Sequence, residues 1–583
     1  MILTWLLHAV FSTVIAFLLA NIFGALTLWI SIVSLLLGTL IGWRCAKSLI
    51  GNHADWKFRA FGVTDSGMIE IVLAIFVGYA ALRHFMWLLF PMEHHLATLS
   101  LNNFGDLPLH INFTRALANG ITFPPRNPIF ASELLHYPYG VDLYSALLEQ
   151  IGIRLQAHLL AVGLLGTAAS IVFLRSYAGW VGIGAFFLSG GLSGWEVIGG
   201  ARLRDFSQNV DWKNLFLSVF ITQRGVLFAL PIGLLLIIAT RRHFSGEAVL
   251  RRGQMIALGI IWGFLPLFHL HAFVAVSLLM AASCFEVGGW RAVVSFLGCW
   301  MSRVAYLPAA LLVLFSTRFL KSSSVLRLRW GWMAKSGELL HFLTFNFGAW
   351  LFMPIFIAAA LYLSKDRFAA AERKKLWIEF AIYLLLFLVF FNLMLAPWEW
   401  DNIKLLIWPY LGFARLLYIL FDKREGSWLG SFERPLLAFA FFYSGFATVV
   451  WTLLSPTGHA VPLYATGELA KVEGALSGVS KNAVFASAQS HLHPLTYFGG
   501  IRVAGYEGHL WSHGIDHTDV VAKLDRIMHG DPESVALCRE LGVTHIFWGP
   551  DEKSQYGDGD LPWMHVLQNV SRVPEYAIYA IKY

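Results

Sequence analysis

The first long polar stretch of the chain carries residue types that can move protons. It contains Asp106, then His110 four positions later, and it ends with Tyr-Pro-Tyr-Gly-Val followed by Asp142. A carboxylate can act as a general base toward a hydroxyl group, and an imidazole can donate or accept a hydrogen bond. Asp106 and Asp142 are also of a type that caps helices and turns, an alternative that applies more to Asp142 than to Asp106. The stretch therefore offers one or two acids and a histidine for acid–base chemistry.

Four other segments carry polar side chains beside apolar runs. Arg224 stands at the start of such a run, where it could bind an anion or only place its charge among lipid headgroups. His269 and His271 are two residues apart, so they point in different directions, and one could merely satisfy a neighbouring backbone group. Glu399 and Asp401 are harder to explain structurally, since a short loop beside apolar helices gains nothing from two acids. The full candidate set is Asp106, His110, Asp142, Arg224, His269, His271, Glu399, Asp401, Lys404, Trp511 and His513.

The composition explains why these polar residues stand out. Of the 583 residues, 57% are hydrophobic and 14% are charged, against about 25% charged residues in soluble domains. Many apolar runs continue for about 18 to 22 residues without a charge, which is the length needed to cross a bilayer core. The four cysteines form no metal-binding spacing and imply no disulfide framework. A soluble enzyme, a disordered chain and a nucleic-acid binder are excluded as first interpretations.

The apolar runs predict about thirteen transmembrane helices. The N-terminal apolar region is too long for a signal-peptide core, whose apolar part covers about 7–15 residues, and it supplies the first two helices. The predicted spans are about 2–21, 24–43, 68–90, 155–174, 177–195, 222–240, 254–268, 271–286, 304–319, 347–364, 377–395, 404–421 and 435–454.

The distribution of Lys and Arg predicts the orientation in the membrane. With the N-terminus in the cytoplasm, nearly every compact basic cluster falls on the cytoplasmic side. The exception is the outer loop with Lys321, Arg327 and Arg329. The cytoplasmic set is Arg44 to Arg59, Arg175, Arg241 and Arg242, Arg251 and Arg252, Arg291, Lys365 to Lys375, and Lys423, Arg424 and Arg434. All the candidate residues named above then lie on the opposite, outer face.

Residues 455–583 have the composition of an ordinary globular domain. Helical patterns near 464–476, 516–529 and 532–541 alternate with short apolar runs at 483–487, 543–548 and 576–582. This order is typical of a small sheet with helices packed on it. We therefore divide the chain into a transmembrane domain, 1–454, with a large first outer loop at about 91–153, and an outer α/β domain, 455–583.

Sequence motifs for soluble activated substrates are absent. The chain has no Gly-rich phosphate loop followed by Lys-Ser/Thr, no GxGxxG after a strand and no HExxH. An enzyme site on the outer face would also have neither ATP nor a sugar nucleotide at hand. Such a site would instead draw on a lipid-carried donor that reaches it through the bilayer.

These features together resemble the GT-C type of integral membrane glycosyltransferase. The resemblance rests on the many spans, on a long first outer loop with an acidic residue just after the helix, and on a C-terminal outer α/β domain. Phrases similar to those of an uncharacterised bacterial group support it: Phe-Pro-Pro-Arg-Asn-Pro, Gln-Arg-Gly, Pro-Leu-Phe-His-Leu-His, Trp-Asp-Asn-x-Lys and Gly-Tyr-x-Gly-x-Leu-Trp-Ser-His-Gly. The resemblance implies a polyprenyl-phosphate-linked sugar as donor, an essential first-loop carboxylate, here Asp106, and a site on the periplasmic side of a bacterial inner membrane.

The resemblance also implies roles for the other candidates. Asp106 would be the general base in a direct, inverting transfer of a hexosyl or pentosyl group to a glycan, lipid or protein acceptor during cell-envelope assembly. Arg224 and Lys404 are the candidates for holding the leaving phosphate. The remaining residues would bind substrate: Asp142; His110, His269 and His271 through the phosphate or sugar hydroxyls; Glu399 and Asp401 through sugar hydroxyls or by orienting Lys404; and Trp511 and His513 on the acceptor side.

Two features depart from the usual pattern of that group. Many members carry paired acids in the first loop, whereas Asp106 has no acidic neighbour. The sequence therefore predicts no definite cofactor, and it leaves open whether the protein requires a divalent cation. The N-terminal hairpin also places the key loop after the third helix instead of the first, and we expect this hairpin to pack outside the common core.

Three other functions are compatible with a polytopic chain. A transporter or flippase for a lipid-linked or polar substrate predicts charged residues buried at mid-membrane and two related halves. The second is a non-catalytic subunit of a polysaccharide assembly complex, which would lose little from a change at Asp106 alone. The third is a polymerase or ligase of whole glycans, which would use the same site for an oligosaccharide.

Overall fold

The computed structural model describes residues 1–51, 65–317, 326–364, 367–421, 433–455 and 460–582. Parts of several predicted basic clusters lie outside these ranges, and so does the end of the span predicted at 304–319. The residues concerned in the clusters are Lys57, Arg59, Lys321, Lys365, Lys423 and Arg424.

Helices dominate the described residues before position 456. They are α1 (Ile2–Phe23), α2 (Leu28–Gly51), α3 (Asp65–Met86), α4 (Asn103–Ala118), α5 (Gly140–Gln150), α6 (Leu155–Phe187), α7 (Val226–Phe244), α8 (Arg252–Phe268), α9 (Leu270–Gly298), α10 (Leu307–Thr317), α11 (Leu339–Phe347), α12 (Met353–Leu363), α13 (Ala370–Asn392), α14 (Ile403–Phe421) and α15 (Glu433–Leu454). Within the described ranges, ten helical segments are long and apolar enough to cross a bilayer. The prediction of a multi-pass helical membrane protein is confirmed.

The predicted count of about thirteen helices is not confirmed. Besides the ten long spans, the described part of the chain has two shorter apolar helices, Arg252–Phe268 and Met301–Thr317. The two spans predicted at 155–174 and 177–195 correspond to two helical stretches of α6, which meet at a non-helical break at Ala178 and Gly179. Gly179 has a φ of 58°, and a Cβ there would lie 2.3 Å from the Tyr418 ring, so the break requires glycine.

Strands and short helices lie mainly in the predicted first outer loop and in the C-terminal region. The first outer loop contributes β1 (Phe90–Met92), β2 (His95–Thr98), β3 (Arg126–Asn127) and β4 (Phe130–Leu134), and β5 (Arg327–Leu328) pairs with β6 (Leu393–Met394). The C-terminal region contributes β7 (Val461–Ala465), α16 (Thr466–Ala475), β8 (Val484–Ala486), α17 (Pro494–Tyr497), β9 (Ile501–Arg502), α18 (Glu507–Ser512), α19 (Thr518–Met528), α20 (Ser534–Glu540), β10 (His545–Trp548), α21 (Pro550–Tyr556), α22 (Pro562–Val566), β11 (Gln568–Asn569) and β12 (Ala577–Ala580). A five-stranded mixed sheet has the order β11-β12-β10-β8-β9. Each helical pattern and each apolar run predicted for this region coincides with one of these elements.

The outer domain contacts the first outer loop, in particular helix α4, which is far from it in the sequence. Strand β7 pairs antiparallel with β2, which completes a three-stranded sheet. Side chains of α4 donate to carbonyl groups around α17: Asn112 to Thr496 and Gly500, Arg115 to Tyr497, and Asn119 to Phe498. Loop backbone groups that would otherwise be buried without partners are satisfied in this way. The outer domain therefore fixes the helix that carries Asp106 and His110.

A network of four charged side chains is buried among the membrane helices. Arg241 of α7 donates to Glu286 of α9 at 2.7 Å and to both carboxylate oxygens of Glu379 of α13 at 2.7 and 2.9 Å. Arg415 of α14 donates to the same Glu379 at 2.9 Å, and the Tyr383 hydroxyl does so at 2.7 Å. The hydrogen bonds and ion pairs of this network tie four helices together.

Single cysteines can test the predicted orientation. In a background without the four native cysteines, we expect Thr122→Cys and Thr518→Cys to react with a membrane-impermeant thiol reagent in intact spheroplasts, because both positions are exposed on the proposed outer face. Ala371→Cys, exposed at the start of α13, should react only after the membrane is opened. The reverse labelling pattern would place Asp106 in the cytoplasm and make sugar nucleotides available to it.

Candidate functional site

Asp106 lies in the first turn of α4 and has no polar partner. No hydrogen bond or ion pair to its carboxylate occurs among the residues that the structure describes. Burial raises the pKa of the Asp106 carboxyl, while the charges of His110 and Lys404 act in the opposite direction. A carboxylate with a raised pKa has a higher proton affinity than an exposed aspartate. Asp106 is therefore free to accept a proton from a bound molecule.

His110 is held one helical turn beyond Asp106 by a buried carboxylate. Its Nδ1 lies 3.0 Å from both oxygens of Asp142 in α5, and both side chains are almost fully buried. Because Nδ1–H donates to the carboxylate, Nε2 of the neutral ring is a hydrogen-bond acceptor. Nε2 is buried and has no partner. A buried acceptor without a partner is costly, so this atom points to a ligand or an ordered water.

Arg224 supports Asp142 from the opposite side. Its Nε lies 3.9 Å from an Asp142 oxygen, and its Nη2 donates to the Ser145 hydroxyl at 3.0 Å. The guanidinium is 2% exposed, so Arg224 is buried in protein and does not snorkel to lipid headgroups. Its contacts favour a role in orienting Asp142 and His110. Binding of a phosphate by Arg224 stays a prediction.

Two histidines of the outer domain hold the backbone next to Asp106. His509 Nε2 and His491 Nε2 lie 3.0 and 3.2 Å from the Gly105 carbonyl oxygen. Since a carbonyl only accepts, both rings must carry a proton on Nε2. Burial, reinforced by the neighbouring His491, lowers the pKa of His509 to about 4, so the ring is neutral at pH 7. The position of Asp106 thus depends on the domain that closes over it.

A pair of stacked rings covers the same region. Tyr137 of the first outer loop and His513 of the outer domain stack with their centroids 4.7 Å apart. Burial lowers the pKa of His513 to about 3, and nearby His509 and Lys404 contribute, so the stacked imidazole is uncharged at pH 7. Trp511 is 54% exposed and offers an open aromatic surface beside this pair. The sequence analysis assigned Trp511 and His513 together to the acceptor side. In the structure only His513 is packed into the site.

Lys404 forms the membrane side of the site. Its Nζ lies 3.0 Å from an Asp401 oxygen, and the side chain lines a narrow, mostly apolar cavity together with His269. His269 also caps α9, because its Nδ1 accepts from the Ala272 amide at 3.1 Å, whereas the buried Nε2 of His271 has no partner. The cavity, of about 10 Å³, is too small to hold a phosphate group, so it shows only that the Lys404 side chain lies among apolar residues.

Local packing explains the glycine that follows Arg224. A Cβ on Gly225 would lie 2.3 Å from the Phe268 carbonyl oxygen, one residue before the bend at His269. The start of α7 therefore meets the α8–α9 junction only because residue 225 has no side chain. This contact brings the Gln-Arg-Gly and His-Leu-His motifs together.

The sequence analysis gave Glu399 two possible roles, binding sugar hydroxyls or orienting Lys404. The structure does not bear out the second role. Glu399 pairs with Arg327 at 3.0 Å and with Arg329 at 2.7 Å. Asp401 is the carboxylate partner of Lys404 instead. The pairing also accounts for Arg327 and Arg329, the arginines that stood out as basic residues on the outer side.

Three residues of the site were not singled out from the sequence. Tyr137 is the first residue of the Tyr-Pro-Tyr-Gly phrase, Ser145 follows Asp142 by three positions, and His509 occupies a variable position of the Gly-Tyr-x-Gly-x-Leu-Trp-Ser-His-Gly phrase. The spacing of four residues between His509 and His513 was the available signal, since such residues share one helix face.

The His-x-His sequence of the outer domain does not form a metal site. His491 faces Gly105, while His493 pairs with Glu552 at 2.8 Å inside the domain. Within the described ranges, no three His, Cys, Asp or Glu side chains gather as a ligand set for a metal ion. The residues present therefore do not form the centre that a resident divalent cation would require.

Comparison with known proteins gives no independent guide. No protein-family model matches the chain, and no curated protein matches its sequence. Function is therefore inferred from the geometry of the site.

Proposed function

We propose that this protein is a membrane glycosyltransferase of the GT-C type. It would move a sugar from a polyprenyl-phosphate carrier to a hydroxyl acceptor on the periplasmic face of a bacterial inner membrane. The observation that carries the proposal is that a carboxylate able to act as a base and a cation able to bind a phosphate lie in one small region. Asp106 is an unpaired carboxylate in the described structure, and the charge of Lys404, at the start of α14, acts on it.

The proposed reaction is a direct displacement at the anomeric carbon. The acceptor oxygen forms the new bond to that carbon while the bond from the carbon to the phosphate oxygen breaks. The acceptor proton passes to Asp106, and the lipid phosphate leaves with both bonding electrons toward Lys404. Inversion at the anomeric carbon follows from a single displacement. The stacked Tyr137 and His513 would exclude water, which otherwise competes as acceptor.

Lys404 and Arg224 are the two candidates for binding the leaving phosphate, and Lys404 is the one whose charge acts on Asp106. We expect Lys404→Met to weaken donor use by roughly 10- to 150-fold, the loss of one charge-assisted hydrogen bond, with acceptor KM little changed. Steady-state kinetics with the donor concentration varied would measure this. Lys471→Met is the matched control, because Lys471 is an exposed residue that pairs with Glu575 on the outer domain. If Lys404→Met left the donor KM and kcat unchanged, Arg224 would become the candidate for binding the phosphate.

A transporter is the second candidate, because four charged residues are buried among the membrane helices. Arg241, Glu286, Glu379 and Arg415 fit the expectation for such proteins. Because each of the four side chains is paired with another member of the network, the pairing favours a structural role. Transport would also leave the donor chemically intact.

Turnover by the purified protein decides between these functions. The full chain in nanodiscs is incubated with labelled polyprenyl-phosphate hexoses and pentoses and a panel of hydroxyl acceptors, and the products are separated by mass. Release of polyprenyl phosphate together with a glycosylated acceptor is the expected result. If every donor stays intact while labelled lipid crosses the bilayer of a liposome, the protein is a transporter.

A further inference from the structure

We propose that the acceptor is a sugar, or another polyol, bound through two neighbouring hydroxyl groups, one at Asp106 and one at Nε2 of His110. The inference rests on the proposed function and names the acceptor class for the same site. It makes His110 a residue that determines specificity, with Asp142 and Arg224 as positioning residues behind it.

The two acceptor groups lie on the same face of one helix. Asp106 and His110 are four residues apart in α4, so their Cβ atoms are about 5–6 Å apart. Two hydrogen bonds of about 2.8 Å each let adjacent ring hydroxyls bridge that gap. A lone hydroxyl, such as that of a serine side chain, would satisfy only one of the two groups.

The polarity of His110 is fixed by the residues behind it. Asp142 accepts from Nδ1, and Arg224 and Ser145 hold α5 and its carboxylate in place. In the neutral ring Nε2 then accepts, like the carboxylate of Asp106. Nε2 is buried with no partner in the described structure, so a hydroxyl of the ligand would supply the missing donor. A site that leaves such an atom unpaired discriminates strongly against ligands that lack the matching hydroxyl.

Deoxy analogues test this assignment. Binding and transfer are measured in nanodiscs with methyl glycosides of glucose, galactose, mannose and N-acetylglucosamine, and with the full set of their monodeoxy analogues. For the glycoside that binds, we expect removal of one hydroxyl next to the glycosylated one to weaken binding by roughly 5- to 150-fold, as an unpaired buried acceptor predicts. In His110→Phe, which keeps the ring but not the acceptor nitrogen, parent and deoxy analogue should bind equally.

A second variant tests the tautomer. In Asp142→Asn, the amide oxygen should turn toward Arg224 and the amide nitrogen toward His110, so Nδ1 accepts and Nε2–H becomes a donor. Wild-type protein should reject a deoxyfluoro analogue, which can only accept, as strongly as the deoxy compound. Asp142→Asn should tolerate the fluorine. His110→Asn, which keeps an acceptor oxygen, guards against a loss of folding in His110→Phe.

Three results would overturn the inference: no glycoside binds, parent and deoxy analogues bind equally to the wild type, or His110→Phe keeps the preference. A preference for the intact hydroxyl pair without any transfer from a polyprenyl-phosphate sugar would instead leave the inference standing and refute the proposed function.

Discussion

Asp106→Asn should leave a folded, membrane-inserted protein with almost no transfer activity. The amide has nearly the same shape as the carboxylate but cannot accept the proton of the attacking hydroxyl. Loss of a general base typically lowers the rate by about 100- to 10,000-fold. Initial rates with a defined polyprenyl-phosphate sugar would measure the loss. A rate near that of the parent would remove Asp106 from the role of base.

The pH dependence gives the same residue a second readout. Asp106 must be ionised to act, so activity should fall as the pH drops through its pKa, and burial raises that pKa above the ordinary value. The acid limb of the rate profile should therefore lie at higher pH than an exposed aspartate would give. Asp519→Asn is the matched control, because Asp519 is exposed and pairs with Lys523. This change should alter neither the rate nor the profile.

Glu379→Leu should destabilise the protein more than any other single change in the buried ion network. Its carboxylate accepts from Arg241, Arg415 and Tyr383, so its removal leaves Arg415 without a carboxylate partner in a low-dielectric interior. Breaking a buried pair on one side costs about 3–5 kcal/mol. Thermal unfolding in nanodiscs and the yield of monodisperse protein would measure the loss.

Two comparisons separate charge balance from packing. Glu286→Leu should cost less, because Arg241 keeps both hydrogen bonds to Glu379. The double change Glu379→Leu with Arg415→Met should recover part of the loss, since it removes the unpaired guanidinium. The opposite result is a double variant that is less stable than Glu379→Leu by as much as Arg415→Met alone destabilises the parent. Arg415 would then be stabilising through contacts other than this pair.

The position of Arg224 shows how far sequence reasoning extends into the site. A cation at the start of an apolar run fits both a snorkelling anchor and a phosphate ligand, because both need a charge at that depth. The tertiary structure gives a third arrangement, in which the guanidinium is buried between Asp142 and Ser145. That arrangement depends on how α5 packs against the start of α7. No local pattern encodes a contact between residues 79 positions apart.

Helix breaks illustrate the same limit for the fold. Hydropathy separates the spans predicted at 155–174 and 177–195 by a short polar interval, and the helix breaks just after that interval, at Ala178 and Gly179. A glycine alone does not state whether a helix ends, kinks or reverses. Packing adds a second reason for glycine at this position, because the ring of Tyr418 occupies the space that a side chain at position 179 would need.

The sequence by itself determined the membrane character, the approximate spans and the elements of the outer domain. Each of these follows from local periodicity and from the cost of placing charge or unpaired backbone in hydrocarbon. Tertiary structure decided which polar residues of distant segments meet: His110 with Asp142, His509 with Gly105, His513 with Tyr137, and Glu399 with Arg327 and Arg329. Such pairings form when distant segments bury polar groups together, because each group must find a partner when water is removed.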